Sequence, residues 1–165
     1  MSKVRNHTRI FSSVALSVLL SLSLTGGAFA DSASDLAPGA LTSPPPVEAE
    51  FVPFAALNAN LYLSHGSSTI RQAGSNQVQV TARTYAYQTV NSVGVNYNLQ
   101  RWTGTEWINI ASFSDSVSSR SSYDGLRTWS VSPGYYYRAH TVHWVNHGGT
   151  YESATYYTNS VLIPL

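Results

Sequence analysis

The residues of this sequence that could bind a metal lie close together near its C-terminal end. His140, His143 and His147 fall within eight residues, and Glu152 follows them. Imidazole nitrogens and carboxylates are common zinc ligands. His140 and His143 are three residues apart in a β-prone segment, however, and positions three apart on a strand point to opposite faces. His143 and His147 could share a face only if the strand continued into the following turn, so the pattern favours ordinary hydrogen-bonding histidines, with no metal and no other cofactor.

Catalytic pairs of side chains are not indicated either. Hydrolysis by carboxylates requires two acids, or an acid and a base, in one cleft. The region after residue 53 has four carboxylates, each isolated in or beside a predicted turn: Glu106, Asp115, Asp124 and Glu152. No serine stands in a Gly-x-Ser-x-Gly elbow, and the absence of cysteine excludes a thiol nucleophile and a disulfide framework. We therefore expect no enzyme, and a hydrolase with an unrecognised site is the least favoured alternative.

Tyrosine and tryptophan give the strongest indication of function. The chain has 11 tyrosines and 4 tryptophans but few charges. These side chains combine a large contact area with one hydrogen-bonding edge, which suits recognition of proteins or flat sugar faces. The predicted binding residues are Tyr136, Arg138, His140, Trp144, Trp102 and Trp107. The alternative interpretation is that these aromatic side chains face outward only because they fit a pleated, half-buried surface.

The candidate site depends on the register of the segment 135–144. In one register Tyr137, Ala139, Thr141 and His143 point inward, and an outer strip remains. That outer strip consists of Tyr136, Arg138, His140, Val142 and Trp144. In the other register Val142 and Trp144 belong to the core and the strip disappears, because a slip of one residue exchanges the two faces of a strand. The sequence leaves both registers open.

The segments that carry these residues alternate between apolar and polar positions with a period of two. This pattern predicts strands over 57–64, 77–87, 93–102, 107–110, 127–131, 135–144 and 156–163. Thr103-Gly104-Thr105 is predicted to close a hairpin that pairs Trp102 with Trp107, whereas the serine-rich stretch 112–124 is either a long loop or a weak edge strand. The number and spacing of strands predict an all-β fold, a single antiparallel β-sandwich of about seven strands.

The N-terminal part is predicted to be separate from this domain. Residues 1–30 have the layout of a secretory signal peptide, with a basic start, an apolar stretch and Ala28-Phe29-Ala30 before the cleavage point; an uncleaved anchor is the alternative. Residues 31–53, rich in Ala, Ser and Pro, predict a disordered or polyproline-type leader, or else a processed pro-segment. Residues 54–165 form the predicted β-sandwich domain.

Export changes the charge of the chain. Removal of residues 1–30 leaves six arginines against eight carboxylates, a formal charge of −2, and no lysine. A mildly acidic surface of this kind offers no electrostatic attraction to nucleic acid or to an anionic membrane. The protein is therefore predicted to be secreted, extracellular or cell-surface associated, without nucleic-acid or membrane partners after cleavage.

The corner Val131-Ser132-Pro133-Gly134-Tyr135-Tyr136-Tyr137 resembles the E-to-F corner of fibronectin type III modules. In that family an apolar residue, usually leucine, precedes a Pro-Gly and a tyrosine six positions after it. The resemblance implies a fibronectin type III or immunoglobulin-like sandwich in which the Tyr137 hydroxyl returns to upstream backbone. The family's core tryptophan has no assigned counterpart here.

The chain is also similar to a group of small uncharacterised exported proteins of Bacillus-type bacteria. The similarity lies in the segments 99–104, 134–138 and 159–163. This similarity implies secretion and fold but no activity. The sequence as a whole predicts a secreted, non-catalytic module that recognises an extracellular protein or carbohydrate through exposed Tyr and Trp. The alternative is a structural component of an extracellular or spore-surface layer that self-associates through an exposed strand edge; the oligomeric state is left open.

Overall fold

A computed structural model describes residues 36–46 and 60–165 of the chain. Six strands follow one another along the sequence: β1 Leu63–Gly74, β2 Gln77–Trp102, β3 Trp107–Ser130, β4 Tyr135–His147, β5 Thr150–Tyr157 and β6 Val161–Ile163. They form one sheet in the order β1-β2-β4-β5, in which β3 also pairs with β2 and β6 with β4. Every pairing is antiparallel. The all-β prediction is therefore confirmed for the described residues.

Two long strands, β2 and β3, run through both halves of this sheet. Residues 77–85 of β2 pair with β1 and with the end of β3, whereas residues 90–102 pair with the start of β3 and with β4. The register shifts between Tyr85 and Val90, as it does at a β-bulge that bends a strand. The predicted strands 77–87 and 93–102 are therefore one continuous, curled strand. The sequence suggested two strands because the irregularity between Tyr85 and Val90 interrupts the apolar–polar alternation, as a turn also does.

The core lies between the two halves of the curled sheet. Val80 and Ala82 from the first half of β2 pack with Val95 and Tyr97 from its second half, and with Val145 of β4. The predicted inward positions of β2 are confirmed, since the residues 78, 80, 82, 84, 93, 95, 97 and 99 are all at most 1% exposed. Full burial of a valine or leucine side chain is worth about 1.5–3 kcal/mol, so these alternating positions supply much of the driving force for the fold.

The register of β4 places its odd-numbered residues in this core. Tyr137, Ala139, Thr141, His143 and Val145 are each at most 1% exposed. The even-numbered residues therefore lie on the outer face, and the first of the two registers left open by the sequence is the observed one. His140 and His143 point to opposite faces, as predicted. The hydroxyl of Tyr137 donates to the backbone oxygen of Ser132 at 2.7 Å, as the resemblance to the fibronectin corner implies.

The first predicted strand begins later than expected. Leu61 lies within the predicted strand 57–64, where its place in the apolar–polar alternation puts it on the core side, but it is 69% exposed and precedes β1, which starts at Leu63. β1 also continues past residue 64, the predicted end of the strand, and includes Gly66-Ser67-Ser68. Gly66 is required there because a side chain at this position would collide with the ring of His143. Residues 57–59 lie outside the described residues.

The serine-rich stretch 112–124 belongs to β3, so of its two predicted alternatives the edge strand is the observed one. β3 pairs with β2 along its length and with no other strand among the described residues. A strand that is exposed along one edge tolerates polar side chains. The hairpin at 103–106 is also confirmed, with Trp102 opposite Trp107.

Part of the predicted leader, residues 36–46, packs against the sheet, and we call it the strap. Ala40 is 8% exposed and packs in a cluster with Trp102 and Tyr136. The backbone of Leu41 donates to the oxygen of Gly134 at 2.7 Å. The rest of the leader and the predicted signal peptide lie outside the described residues, so their boundaries stay predictions. The described residues contain no helix that is long and apolar enough to cross a membrane.

Candidate functional site

The six predicted binding residues lie on one face of the sheet, the outer face of β3, β2, β4 and β5. Tyr136, Arg138, His140 and Trp144 occupy outward positions of β4, with Val142 between the last two. Trp102 and Trp107 pair across β2 and β3, with ring centroids 5.4 Å apart. Two groups of aromatic side chains and one covered end can be distinguished on this face.

The first group is built around Arg138, whose guanidinium lies 4.4 Å from the ring centre of Trp107 and 4.6 Å from that of Tyr157. Tyr157 in turn stacks on His140, with ring centroids 4.6 Å apart and planes 13° apart. Cation–π contacts of this kind contribute about 0.5–2 kcal/mol each. The row Trp107–Arg138–Tyr157–His140 is therefore a stack of planar groups that come from three strands, β3, β4 and β5.

Amide side chains hold this stack in place. Arg138 Nε donates to Gln100 Oε1 at 2.7 Å, and Gln100 Nε2 donates to Asn109 Oδ1 at 2.9 Å. Burial, and then the neighbouring charge of Arg138, lower the pKa of His140 below its ordinary value. His140 is accordingly neutral at neutral pH. Fixed rotamers reduce the entropy that a surface loses when a ligand binds.

The second group lies farther along β4. Trp144 stacks on Tyr151 of β5, with ring centroids 5.8 Å apart. Its Nε1 donates to Asn96 Oδ1 at 3.2 Å, and Tyr151 is 54% exposed. We call the six residues of the two groups the open strip: Trp107, Arg138, Tyr157, His140, Trp144 and Tyr151. Arg138 itself is only 9% exposed, because its guanidinium lies against the rings of Trp107 and Tyr157, so the strip is open at its aromatic rings.

The remaining two predicted residues are buried under the strap. Trp102 is 6% exposed and Tyr136 is 9% exposed. The indole Nε1 of Trp102 donates to the backbone oxygen of Ser43 at 3.0 Å. They lie on the predicted face but are not accessible while the strap is in place, because the strap, which is distant from both of them in the sequence, covers them.

A cleft of about 240 Å³ lies between the strap and the connection from β5 to β6. Its lining consists of Pro45, Pro46, Trp107, Arg138, Thr158, Asn159 and Ser160. The connection is anchored, since Thr158 Oγ1 accepts the backbone N–H of Ala139 at 2.9 Å and donates to the oxygen of Asn159 at 2.8 Å. The cleft combines an aromatic ring, a guanidinium and small polar side chains, which is a lining suited to orienting a polar ligand.

Tyr151 and Tyr157 are absent from the predicted site although they complete both groups. Their positions, six apart on one strand, indicate a shared face. The missing information was the pairing of β5 with β4, which sets His140 opposite Tyr157 and Asn146 opposite Tyr151. This pairing follows from the turn at Gly148 and Gly149, both with positive φ.

A serine and a histidine are in contact inside the core, where Ser68 of β1 meets His143 of β4. Its Nε2 lies 3.1 Å from Ser68 Oγ, and its Nδ1 lies 2.8 Å from Thr84 Oγ1. Thr84 donates to the oxygen of Gly94, so it accepts from Nδ1–H and leaves Nε2 as an acceptor. Ser68 is 4% exposed and His143 is fully buried. A substrate could reach this pair only by opening the core, which favours a structural role.

Three of the carboxylates considered for catalysis have structural partners. Glu152 accepts the backbone N–H groups of Leu61, Tyr62 and Leu63 at 2.7–2.9 Å. Asp115 accepts the hydroxyl of Tyr123, and Asp124 pairs with Arg83. Within 36–46 and 60–165 no three His, Cys, Asp or Glu side chains are arranged to hold a metal ion.

Comparisons with known proteins add little to this geometry. No protein family matches the chain, and no curated protein has a significantly similar sequence. One similar solved structure is described as "Crystal structure of protein from Archaeoglobus fulgidus". It matches with a TM-score of 0.32 and 11% identity, over 60% of this chain and 94% of that one. A likeness of this size has no bearing on the function of the chain.

Proposed function

We propose that this chain is a secreted, non-catalytic recognition module that binds an extracellular glycan or protein through the open strip. The observation that supports this most directly is the row Trp107–Arg138–Tyr157–His140. Its planar groups are held against one another before any ligand arrives. Rigid aromatic side chains give contact area at a low cost in entropy, as they do in the binding loops of antibodies.

The neighbouring side chains favour a glycan among the possible ligands. Asn96 and Gln100 lie on the outer face of β2 beside Trp144 and Arg138. Sugar rings present apolar C–H faces that pack on aromatic rings, and hydroxyl groups that pair with amide side chains such as the partly exposed one of Asn96. The low charge of the exported chain also fits a neutral ligand better than a highly charged one.

We also propose that the curled sheet is a variant of the fibronectin type III or immunoglobulin-like sandwich, with its two halves as the two layers. The bond from Tyr137 to Ser132 and the core shared by the two halves of β2 support this assignment. Six strands are seen where about seven are expected, because β2 and β3 each pass through both layers.

A second candidate function is self-association through a strand edge into an extracellular or spore-surface layer. The candidate edge is that of β3, which is 24 residues long. Its charged side chains, Asp115, Arg120, Asp124 and Arg127, are of the kind that discourages edge pairing. The structure of β3 therefore favours recognition over edge-to-edge assembly.

Replacing Trp144 tests the recognition proposal. The Trp144→Ala variant is expected to lose at least tenfold in affinity, because it removes half of the Trp144–Tyr151 stack while the core face of β4 is unchanged. The measurement is cosedimentation of the exported chain with insoluble cellulose, chitin and peptidoglycan, followed by titration with soluble fragments of whichever is bound. Circular dichroism checks that the variant is folded.

The matched control is Tyr87→Ala, which removes an aromatic side chain that is 64% exposed and lies outside the open strip. We expect it to bind like the unaltered chain. Equal binding by Trp144→Ala and the unaltered chain would exclude the open strip as the binding surface. Loss of binding in both variants would indicate a surface elsewhere.

A further inference from the structure

The strap lies in a groove on the covered end of the outer face. The groove is formed by Trp102, Tyr136 and Leu162, and Ala40 of the strap packs into that cluster. Leu41 N–H donates to the oxygen of Gly134 at 2.7 Å, and Leu165 N–H donates to the oxygen of Gly39 at 3.0 Å. Residues 37–40 of the strap form a turn that is closed by the bond from Ala40 N–H to the oxygen of Ala37 at 2.9 Å, and the strap is joined to the sheet main chain to main chain.

Glycines allow the backbones of strap and groove to approach each other. A Cβ on Gly134 would lie 2.5 Å from Leu41 Cγ, and a Cβ on Gly39 would lie 2.7 Å from Pro164 Cβ. Both glycines have positive φ, of 88° and 79°. Strap and groove are therefore matched at the level of the main chain.

The end of the strap has the chemistry of a proline-rich ligand. Trp102 Nε1 donates to the oxygen of Ser43 at 3.0 Å, immediately before three consecutive prolines. Pro45 and Pro46 then line the cleft beside Trp107 and Arg138. Aromatic grooves that donate to the carbonyl groups of extended, proline-rich segments are a recurrent mode of peptide recognition.

The strap is held by local contacts rather than by a short connection to β1. Thirteen residues, 47–59, separate it from the first described residue before β1. A chain of that length reaches up to about 45 Å when extended. Its connection therefore does not by itself force the strap into the groove of its own chain, and every contact described above is available equally to the strap of a second copy.

We propose that this groove is a binding site that joins copies of the chain, in which the strap of one copy occupies the groove of another. The inference goes beyond recognition by the open strip and does not use the edge of β3. Reciprocal exchange gives a closed pair, whereas one-way exchange continues into a chain of copies. In dilute solution the strap's own groove competes at an effective concentration on the order of 1 mM, so exchange is favoured by crowding at a surface.

Complementation between two altered chains tests this site. Ala40→Asp places a carboxylate in the apolar cluster and disables the strap while leaving the groove intact. Trp102→Ala disables the groove and leaves the strap intact. Each variant alone is expected to be monomeric at micromolar concentration, because it lacks one of the two partners. An equimolar mixture is expected to form a 1:1 complex, measured by sedimentation velocity and native mass spectrometry.

The control mixture pairs Ala40→Asp with Trp144→Ala, whose groove is already filled by its own strap. We expect at least tenfold less complex there than in the complementing mixture. A complementing mixture that stays monomeric although both chains are folded overturns the proposal. Equal amounts of complex in the two mixtures also overturn the proposal, since exchange would then not depend on a free strap.

A synthetic peptide of residues 36–46 covers the case in which Trp102→Ala does not fold. Titrated into the Ala40→Asp chain, the peptide is expected to bind and to alter tryptophan fluorescence, whereas the same peptide with aspartate at position 40 is not. Equal titration curves for the two peptides overturn the proposal. Trp144→Ala in the Ala40→Asp background is expected to leave peptide binding unchanged, so failure of the groove and failure of the open strip are distinguishable.

Discussion

His143 is a neutral histidine enclosed by hydroxyl groups. Ser68, Thr84 and Thr141 lie within 2.8–3.2 Å of its two ring nitrogens, and the side chain is fully buried. Burial lowers the pKa of His143 to about 4 from an ordinary value of 6.5. Its ring joins β1, β2 and β4 across the core, and it does so only in its uncharged form.

Acid is therefore expected to destabilise the fold through His143. The unfolded chain takes up this proton near pH 6.5 and the folded chain only near pH 4, so stability is lost as the pH falls between these values. The loss is about 3 kcal/mol when the whole window is crossed. The measurement is urea unfolding at pH 7 and pH 4.5. The free energy of unfolding is expected to depend less on pH in His143→Gln than in the unaltered chain, whereas the exposed control His65→Gln is expected to behave like the unaltered chain. Parallel behaviour of the two variants would exclude His143 as the source.

At the scale of elements, β2 is the longest strand of the sheet, with 26 residues. It pairs with β1, β3 and β4 in turn. Gly94 lies in the second half of β2, where it has a neighbour on each side, between Ser116 of β3 and Trp144 of β4. A Cβ at this position would lie 2.6 Å from Ser116 Cβ and 2.9 Å from Trp144 Cζ2.

Gly94→Ala is therefore expected to destabilise the fold by about 1–3 kcal/mol, as overpacking of a tight site does. Gly74→Ala is the matched control, because the nearest atom to a Cβ there is 3.5 Å away. Thermal unfolding of both variants measures the difference. If the two variants melt alike, the approach of β2 to its neighbours is looser than these distances indicate. Gly94→Ala should also shift the Trp144 indole and weaken binding by the open strip.

At the scale of the whole molecule, Glu152 connects the start of the domain to its late strand β5. Its carboxylate accepts three backbone N–H groups from residues about ninety positions away. Burial raises the pKa of Glu152, but the bonds from Leu63, Leu61 and Tyr62 outweigh it and leave the pKa below its ordinary value. The carboxylate therefore ties the first strand to the far edge of the curled sheet.

Glu152→Gln is expected to cost about 1.5–3 kcal/mol at pH 7, since hydrogen bonds to a charged acceptor are stronger than those to a neutral amide. Because the folded pKa is depressed, this contribution is present above the ordinary carboxyl pKa and is lost as the pH falls through the folded value. Chemical denaturation, with the exposed Glu106→Gln as control, measures the cost. Amide exchange at 61–63 should accelerate in Glu152→Gln alone, and unchanged protection there would exclude the connection.

Some features of the fold and of the candidate site could be predicted from the sequence because they depend on neighbouring residues only. Alternation with a period of two identified the inward residues of β2, whereas for β4 it left two registers open, and the structure has the one with Tyr137 inward. That register placed Arg138, His140 and Trp144 on the outer face. The Gly-containing connection likewise predicted the pairing of Trp102 with Trp107.

Other features were decided by contacts between distant residues. The continuity of β2 through its bend depends on pairing with three different strands. The inclusion of Tyr157 in the site depends on the alignment of β5 with β4, and the burial of Trp102 depends on a strap about sixty residues away. Alternation records which side of a strand is apolar, and it contains no information about which distant segment covers that side. The sequence by itself therefore determined which residues of β2 face the core, whereas the tertiary structure decided the register of β4 and which of the predicted binding residues are open to a ligand.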